Sequence, residues 1–188
     1  MATKNNTYKS YSMEYGTFLG LGWGATFLCY VEGVSTGNAL LIFLCFMLFA
    51  VCFVMPFFFA MRLNRKHAAI GEKLSYLQGL FFSFSMFMYA CLMSGLIVFA
   101  YFKWLDDGTL YEQLNSMVTL PEMVETYRQM GMSEQYAQMV DMLRQVNEMS
   151  EWEKTLGIFN NNFFFGIIMS FVVAVVASYD LRRIRNSK

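Results

Sequence analysis

Four long apolar stretches, residues 15–34, 39–61, 77–102 and 159–179, run through a chain of 188 residues. Each is close to the ~20 residues that an α-helix needs to cross a ~30 Å hydrocarbon core. A water-soluble domain of this length has no interior large enough to hide four such segments. The expected fold is an all-α membrane protein occupying 1–188 as one unit. It has four transmembrane helices, with an extracytoplasmic amphipathic helical hairpin (residues 106–156) between the third and fourth.

Charge orients the segments. The formal net charge is zero, but its distribution is lopsided. Lys4 and Lys9 precede the first stretch, Arg62, Arg65, Lys66 and Lys73 follow the second, and Arg182, Arg183, Arg185 and Lys188 follow the fourth. The connection around Glu32 and Asn38 has no basic residue. Between the third and fourth stretches lie ten acidic residues, from Asp106 to Glu153, against Lys103, Arg128, Arg144 and Lys154. Basic loops stay in the cytoplasm, which places both termini and the second connection inside. Lys4 and Lys9 also give the first stretch the start of a secretory signal. Its apolar run is longer than a signal core, Glu32 falls where cleavage would, and no A-x-A site follows, so it is read as a retained span.

Within the stretches, Gly16, Gly20 and Gly24 recur every four residues, with Gly22 and Gly33 nearby. This is a small-residue face against which another helix backbone can pack. Packing inside the same bundle is preferred over a homodimer seam. Pro56 removes one helical hydrogen bond in the second stretch and predicts a kink or early unwinding. Residues 77–102 would extend ~39 Å at ~1.5 Å per residue, so the third helix should tilt or emerge, anchored by Tyr101, Lys103 and Trp104. No ionisable residue lies mid-span, which argues against a coupled transporter. Thr26, Ser83, Ser85, Ser94 and Ser170 are the uncharged polar residues there, read as helix-packing hydrogen bonders. Cys29, Cys45, Cys52 and Cys91 all fall in predicted spans and show no C-x-x-C spacing, so they are read as apolar thiols.

The acidic insert has its own helical punctuation. Thr109-x-x-Glu112, Thr119-x-x-Glu122 and Ser150-x-x-Glu153 have capping-box spacing, and Gly131 followed by Ser133 suits a helix end and a new start. Met123, Val124, Tyr127 and Met130 form one apolar stripe, and Tyr136, Met139, Val140, Leu143 and Val146 form another. Seven methionines lie here: Met117, Met123, Met130, Met132, Met139, Met142 and Met149. Thioethers bind soft ions, and Met139-x-x-Met142 puts two on adjacent turns, but an adaptable apolar face is the preferred reading.

Catalytic patterns are missing. His67, the only histidine, stands among Arg62, Arg65 and Lys66 and is read as a solvated loop residue rather than a general base. No phosphate loop, H-E-x-x-H helix or G-x-S-x-G elbow is present. No catalytic, cofactor-binding or metal-binding residue is assigned, and no enzyme activity is expected.

The arrangement resembles the bacterial membrane family known as domain of unknown function 4199. The resemblance rests on "YGTFLGL" at 15–21, the basic connection "RLNRKHAAIGEKLSYLQGLFFSF" at 62–84, and "MVETYRQMGMSEQYAQMVDML" at 123–143. It implies a four-span protein of the bacterial cytoplasmic membrane and carries no catalytic or ligand residue over to this chain. The functional expectation is a non-enzymatic scaffold or accessory subunit of the cell envelope. Its expected partners are the lipid bilayer and, through the outer hairpin, another envelope protein, with no nucleic acid. An oligomeric channel or small-solute transporter, which requires a homo-oligomer, is the alternative. Soft-metal sensing by the outer methionines is the third reading.

Overall fold

The computed structural model describes residues 2–69 and 74–178, with side chains from residue 9 onward. These residues form seven helices: α1 (Ala2–Thr36), α2 (Ala39–Ala69), α3 (Tyr76–Trp104), α4 (Thr109–Val118), α5 (Pro121–Gln129), α6 (Ser133–Glu148) and α7 (Glu151–Ser178). The four long helices make a bundle in which α1 packs on α3 and α2, and α7 packs on α3 and α2. The short helices α4, α5 and α6 form the insert.

Three of the long helices, α2, α3 and α7, are long and apolar enough to cross a membrane. That corrects the expectation of four. Helix α1 is long at 35 residues, but its glycines, Trp23, Thr17, Thr26 and Glu32 dilute its apolar character. Those same glycines are its packing surface. A Cβ on Gly20 would lie 2.6 Å from the Ala90 carbonyl oxygen and 2.6 Å from the Met93 Cβ, and one on Gly16 would lie 2.6 Å from the Tyr89 Cβ. A Cβ on Gly24 would run into Ile97. The predicted glycine face therefore meets α3 within the bundle, as preferred over a homodimer seam. Its register (16 with 86 and 89, 20 with 90 and 93, 24 with 97) shows that α1 and α3 run in the same direction.

A second small-residue seam joins α3 to α7. A Cβ on Gly79 would lie 3.1 Å from the Ala174 carbonyl oxygen, and one on Gly166 would lie 2.9 Å from the Phe87 Cβ. This register is antiparallel. Gly22 faces the Cys52 thiol of α2 and Gly33 faces Ile42, so α1 and α2 are antiparallel too. Helix α3, gripped on both sides, buries 44% of its most apolar window, whereas α2 buries only 17%. The exposed side of α2 carries Leu40, Phe43, Phe46, Val51, Val54 and Phe58. An apolar face of that extent is compatible with hydrocarbon and not with water.

Polar residues inside the bundle satisfy themselves. Ser83 donates to the Gly79 carbonyl (2.8 Å), Ser94 to Cys91 (3.2 Å), Ser170 to Gly166 (2.6 Å) and Thr26 to Gly22 (2.9 Å). The sequence reads them as helix-packing hydrogen bonders, but each of these four bonds lies within its own helix. Trp23 lies in the bundle with its ring centroid 6.0 Å from that of Phe87.

Two local expectations change. Helix α2 runs on as helix through Pro56, which is fully buried, so the early unwinding offered as an alternative to a kink does not occur. It carries on to Ala69 because the basic residues beyond 61 are good helix formers and have a surface to cover. Lys66 sits 3.9 Å from the Tyr11 ring centroid and Arg62 sits 6.0 Å from that of Tyr15, while Tyr15 stacks on Phe59 at 4.3 Å. His67 is consequently not a solvated loop residue. It lies in α2 on the stripe Cys52, Pro56, Phe59, Ala60, Leu63, Asn64, and is 8% exposed.

Helix ends follow capping chemistry. Gly37 (φ +63°) closes α1, with Asn38 N–H donating to the Gly33 carbonyl at 2.9 Å and Gly37 N–H to Val34 at 3.2 Å, a Schellman motif. Ser75 and Gln78 form a reciprocal capping box at the start of α3.

Candidate interaction surface on the helical insert

The insert differs from a two-helix hairpin, because α4 precedes the hairpin of α5 and α6. Of the three capping boxes read from the sequence, one forms: Ser150 and Glu153 cap α7 reciprocally, at 2.8 Å and 3.3 Å. Helix α4 has Gly108 as its N-cap with no side-chain cap, and Asp107 just before it holds Thr109. Its carboxylate accepts from the Thr109 hydroxyl and, at 3.1 Å, from its amide. Those bonds hold the Asp107 carboxyl below the usual carboxylate range. Thr119 turns back to the end of α4, donating to the Asn115 carbonyl at 2.7 Å, so α5 starts on Pro121 without a side-chain cap. Ser133 is the first residue of α6 rather than its N-cap. Gly131 (φ +69°) ends α5 as expected, with Met132 N–H donating to the Tyr127 carbonyl at 2.9 Å.

Two tyrosines organise the hairpin. The Tyr127 and Tyr136 ring centroids are 5.6 Å apart, joining α5 to α6, and the Tyr136 hydroxyl donates to the Val118 carbonyl of α4 at 3.3 Å. Both expected apolar stripes exist, but little covers them. None of the three insert helices contains a buried residue. Met123, Val124 and Val146 are exposed, and Met130 and Met142 are 65% and 64% exposed. Met139 is half-buried, so the Met139/Met142 pair divides between a covered and an open side of α6.

The insert is seated on the bundle by charge. Lys154 of α7 pairs with Asp106, just past α3, at 3.7 Å. With side chains only 16% and 14% exposed, this pair is far better sheltered than the others in the insert. The Lys154 ammonium also lies 5.6 Å from the Phe102 ring centroid, and Asp106 accepts from the Gly108 amide at 3.2 Å. Lys103 and Glu151 add a half-exposed pair at 3.8 Å. Above this seat a groove of about 360 Å³ opens between insert and bundle, walled by Leu110, Leu114, Leu143, Val146, Met149 and Ile158. Apolar walls with a screened ion pair at the edge suit an apolar side chain or helix face.

The sequence reading missed the Asp106–Lys154 pair. The partners are far apart in the chain, and each resembles an ordinary boundary charge until α3 and α7 are laid side by side.

The fold and this surface define a small all-helical membrane-type protein with a projecting helical insert. The family described as protein of unknown function (DUF4199) matches residues 14–178, and the chain belongs to it. No curated protein and no solved structure matches the chain.

Proposed function

We propose that this protein is a non-enzymatic scaffold or accessory subunit of the bacterial cytoplasmic membrane, and that its insert docks another envelope protein. The observation that carries the reading is the insert itself. Three helices without one buried residue present methionine, valine and leucine side chains beside an apolar groove, on a seat held by a sheltered ion pair. Methionine-rich helical faces are adaptable docking surfaces.

In this reading α1 is the fourth span. It runs in the same direction as α3 with Gly16, Gly20 and Gly24 packed against it, which supports a crossing by α1 alongside α3. Its polar backbone is satisfied within the helix and its glycines are covered by α3, which offsets its modest apolar character. Both termini are then cytoplasmic and the insert is outside, in line with the basic residues at the ends of the chain and in the second connection.

Photo-crosslinking in native membranes tests the docking. A probe at Met130 or Met142 should capture a discrete envelope protein that a probe at the exposed Arg65, at the other end of the bundle, does not. Asp106→Asn should weaken the capture by loosening the seat. Adducts to lipid alone from both insert positions would refute the docking role. Labelling of single cysteines gives the orientation: Gly131→Cys should react from outside and Arg65→Cys only from inside, and the reverse pattern would overturn it.

A further inference from the structure

At the end of the bundle opposite the insert, a cleft of about 480 Å³ lies between α1 and α3, lined by Lys9, Ser12, Gln78, Phe81, Ser85 and Tyr89. Because α1 and α3 run in the same direction, Lys9 and Gln78 mark its mouth. Ser85 and Tyr89 lie ~10 Å and ~16 Å further along α3 at ~1.5 Å per residue. Ser12 returns its hydroxyl to the Lys9 carbonyl of its own helix at 3.0 Å, but two other polar groups of the cleft differ from those in the bundle. Ser83, Ser94 and Ser170 return their hydroxyls to their own helix, whereas the Ser85 and Tyr89 hydroxyls have no hydrogen-bond partner among the described residues. A hydroxyl facing hydrocarbon without an acceptor is costly. Lys9 likewise has no carboxylate partner among the described residues. Glu14, exposed on α1, is the described carboxylate of this end and does not line the cleft. Arg62, Arg65 and Lys66 of α2 stand at the same end, two of them over tyrosine rings, and add positive potential.

From these groups we infer that the cleft binds one anionic phospholipid. Its phosphate lies at Lys9, between the Gln78 amide and Phe81, its ester oxygens accept from Ser85 and Tyr89, and an acyl chain runs on along α3 beyond Tyr89, past the exposed Leu92 and Leu96. A cation at the mouth, hydroxyl donors without acceptors further in and an exposed apolar helix face beyond them follow the order phosphate, ester, chain of a phospholipid. The inference is independent of what the insert docks.

The test uses the full chain in nanodiscs of phosphatidylcholine doped with phosphatidylglycerol, with native mass spectrometry counting the lipids retained after release. The wild type should retain one phosphatidylglycerol with about fivefold preference over phosphatidylcholine, the scale of one lysine at an anionic surface. Lys9→Gln should abolish the preference and Lys9→Arg should keep it. Arg65→Gln, which removes a neighbouring charge outside the cleft, should leave it intact. Ser85→Ala with Tyr89→Phe should lower retention of both lipids. Equal retention of the two lipids by the wild type would overturn the inference. So would an equal loss in Arg65→Gln, the mark of a diffuse basic end. Lys9-dependent stabilisation by millimolar inorganic phosphate in lipid-free detergent would also overturn it, as the mark of a soluble-anion site.

Discussion

Adding a single methyl group at successive glycines should change the sign of the stability effect. A Cβ at Gly20 would lie 2.6 Å from the Ala90 carbonyl oxygen, 2.6 Å from the Met93 Cβ and 3.0 Å from the Ala90 Cα. Carbon atoms in ordinary contact sit about 3.5–4.0 Å apart, so α1 would have to retreat from α3 by about 1 Å. Backbone atoms of α3 cannot turn aside as a side-chain tip can. Overpacking of this kind costs about 1–3 kcal/mol. Against it stands the better helix propensity of alanine over glycine, about 0.5–1 kcal/mol. Gly20→Ala and Gly16→Ala should therefore each lose about 0.5–2 kcal/mol net, and Gly20→Leu more. At Gly24 the atoms in the way all belong to the Ile97 side chain, which can change rotamer, so the loss should be smaller. Gly157 of α7 has nothing within 4 Å, and Gly157→Ala should gain about 0.5–1 kcal/mol.

Thermal or steric-trapping unfolding of the series in one bicelle preparation reads the order directly. Phe18→Leu is the control on the opposite face, since Phe18 is 55% exposed, and it should be nearly silent. Phe27 cannot serve, because its ring lies 5.5 Å from that of Tyr101. If Gly20→Ala proves as stable as Gly157→Ala, backbone contact between α1 and α3 is absent and the α1 register is wrong.

Two further outcomes concern the insert. A double-mutant cycle on Asp106 and Lys154 should return a coupling of about 0.5–3 kcal/mol, against about 0.3–0.5 for the exposed Arg144–Glu148 pair; equal couplings would show that shelter does not matter. Asp107, whose carboxyl is lowered by its bonds to Thr109, binds fewer protons folded than unfolded near its transition. Its contribution to the start of α4 should be present above the ordinary carboxylate pKa and fade as pH falls through the lowered folded value. Amide protection at Thr109 and Leu110, corrected for intrinsic exchange, should fall over that window in the wild type and not in Asp107→Asn.

Much of this was written in local sequence. The long apolar helices α2, α3 and α7, the glycine face, the Gly131 turn and the Ser150–Glu153 cap depend on neighbours within a turn or two, and the chain states them directly. The failures share a cause. His67 looks solvated beside Arg62, Arg65 and Lys66, yet a helix puts those cations on one side and His67 on the other, in line with Leu63 and Asn64. That stripe becomes readable only once α2 is known to continue past Pro56. Thr119 and Ser150 both follow a helix and have the same box spacing, but Thr119 is itself the C-cap of α4 and gives its hydroxyl to the Asn115 carbonyl, whereas Ser150 lies one residue past the C-cap of α6 and turns to Glu153. The groove under the insert depends on α3 meeting α7, and no local pattern encodes that meeting.

Helix α1 shows why hydropathy alone misjudges a bundle. An apolar score rewards large side chains, which is what a helix facing lipid needs, and α2 with its phenylalanine-covered face scores best while burying least. A helix held between two others needs small residues where backbones meet, and glycine contributes almost nothing to such a score. Gly16, Gly20, Gly22 and Gly24 thus lower the apolar character of α1 for the same reason that they let it approach α3 and Cys52 so closely. The least apolar of the four long helices is thereby among the most tightly packed by contact, with Leu19 and Val31 at 0% and 2% exposure. Replacing these glycines with leucine would raise the apolar score of α1 and at the same time remove the reason for it to stay in the bundle.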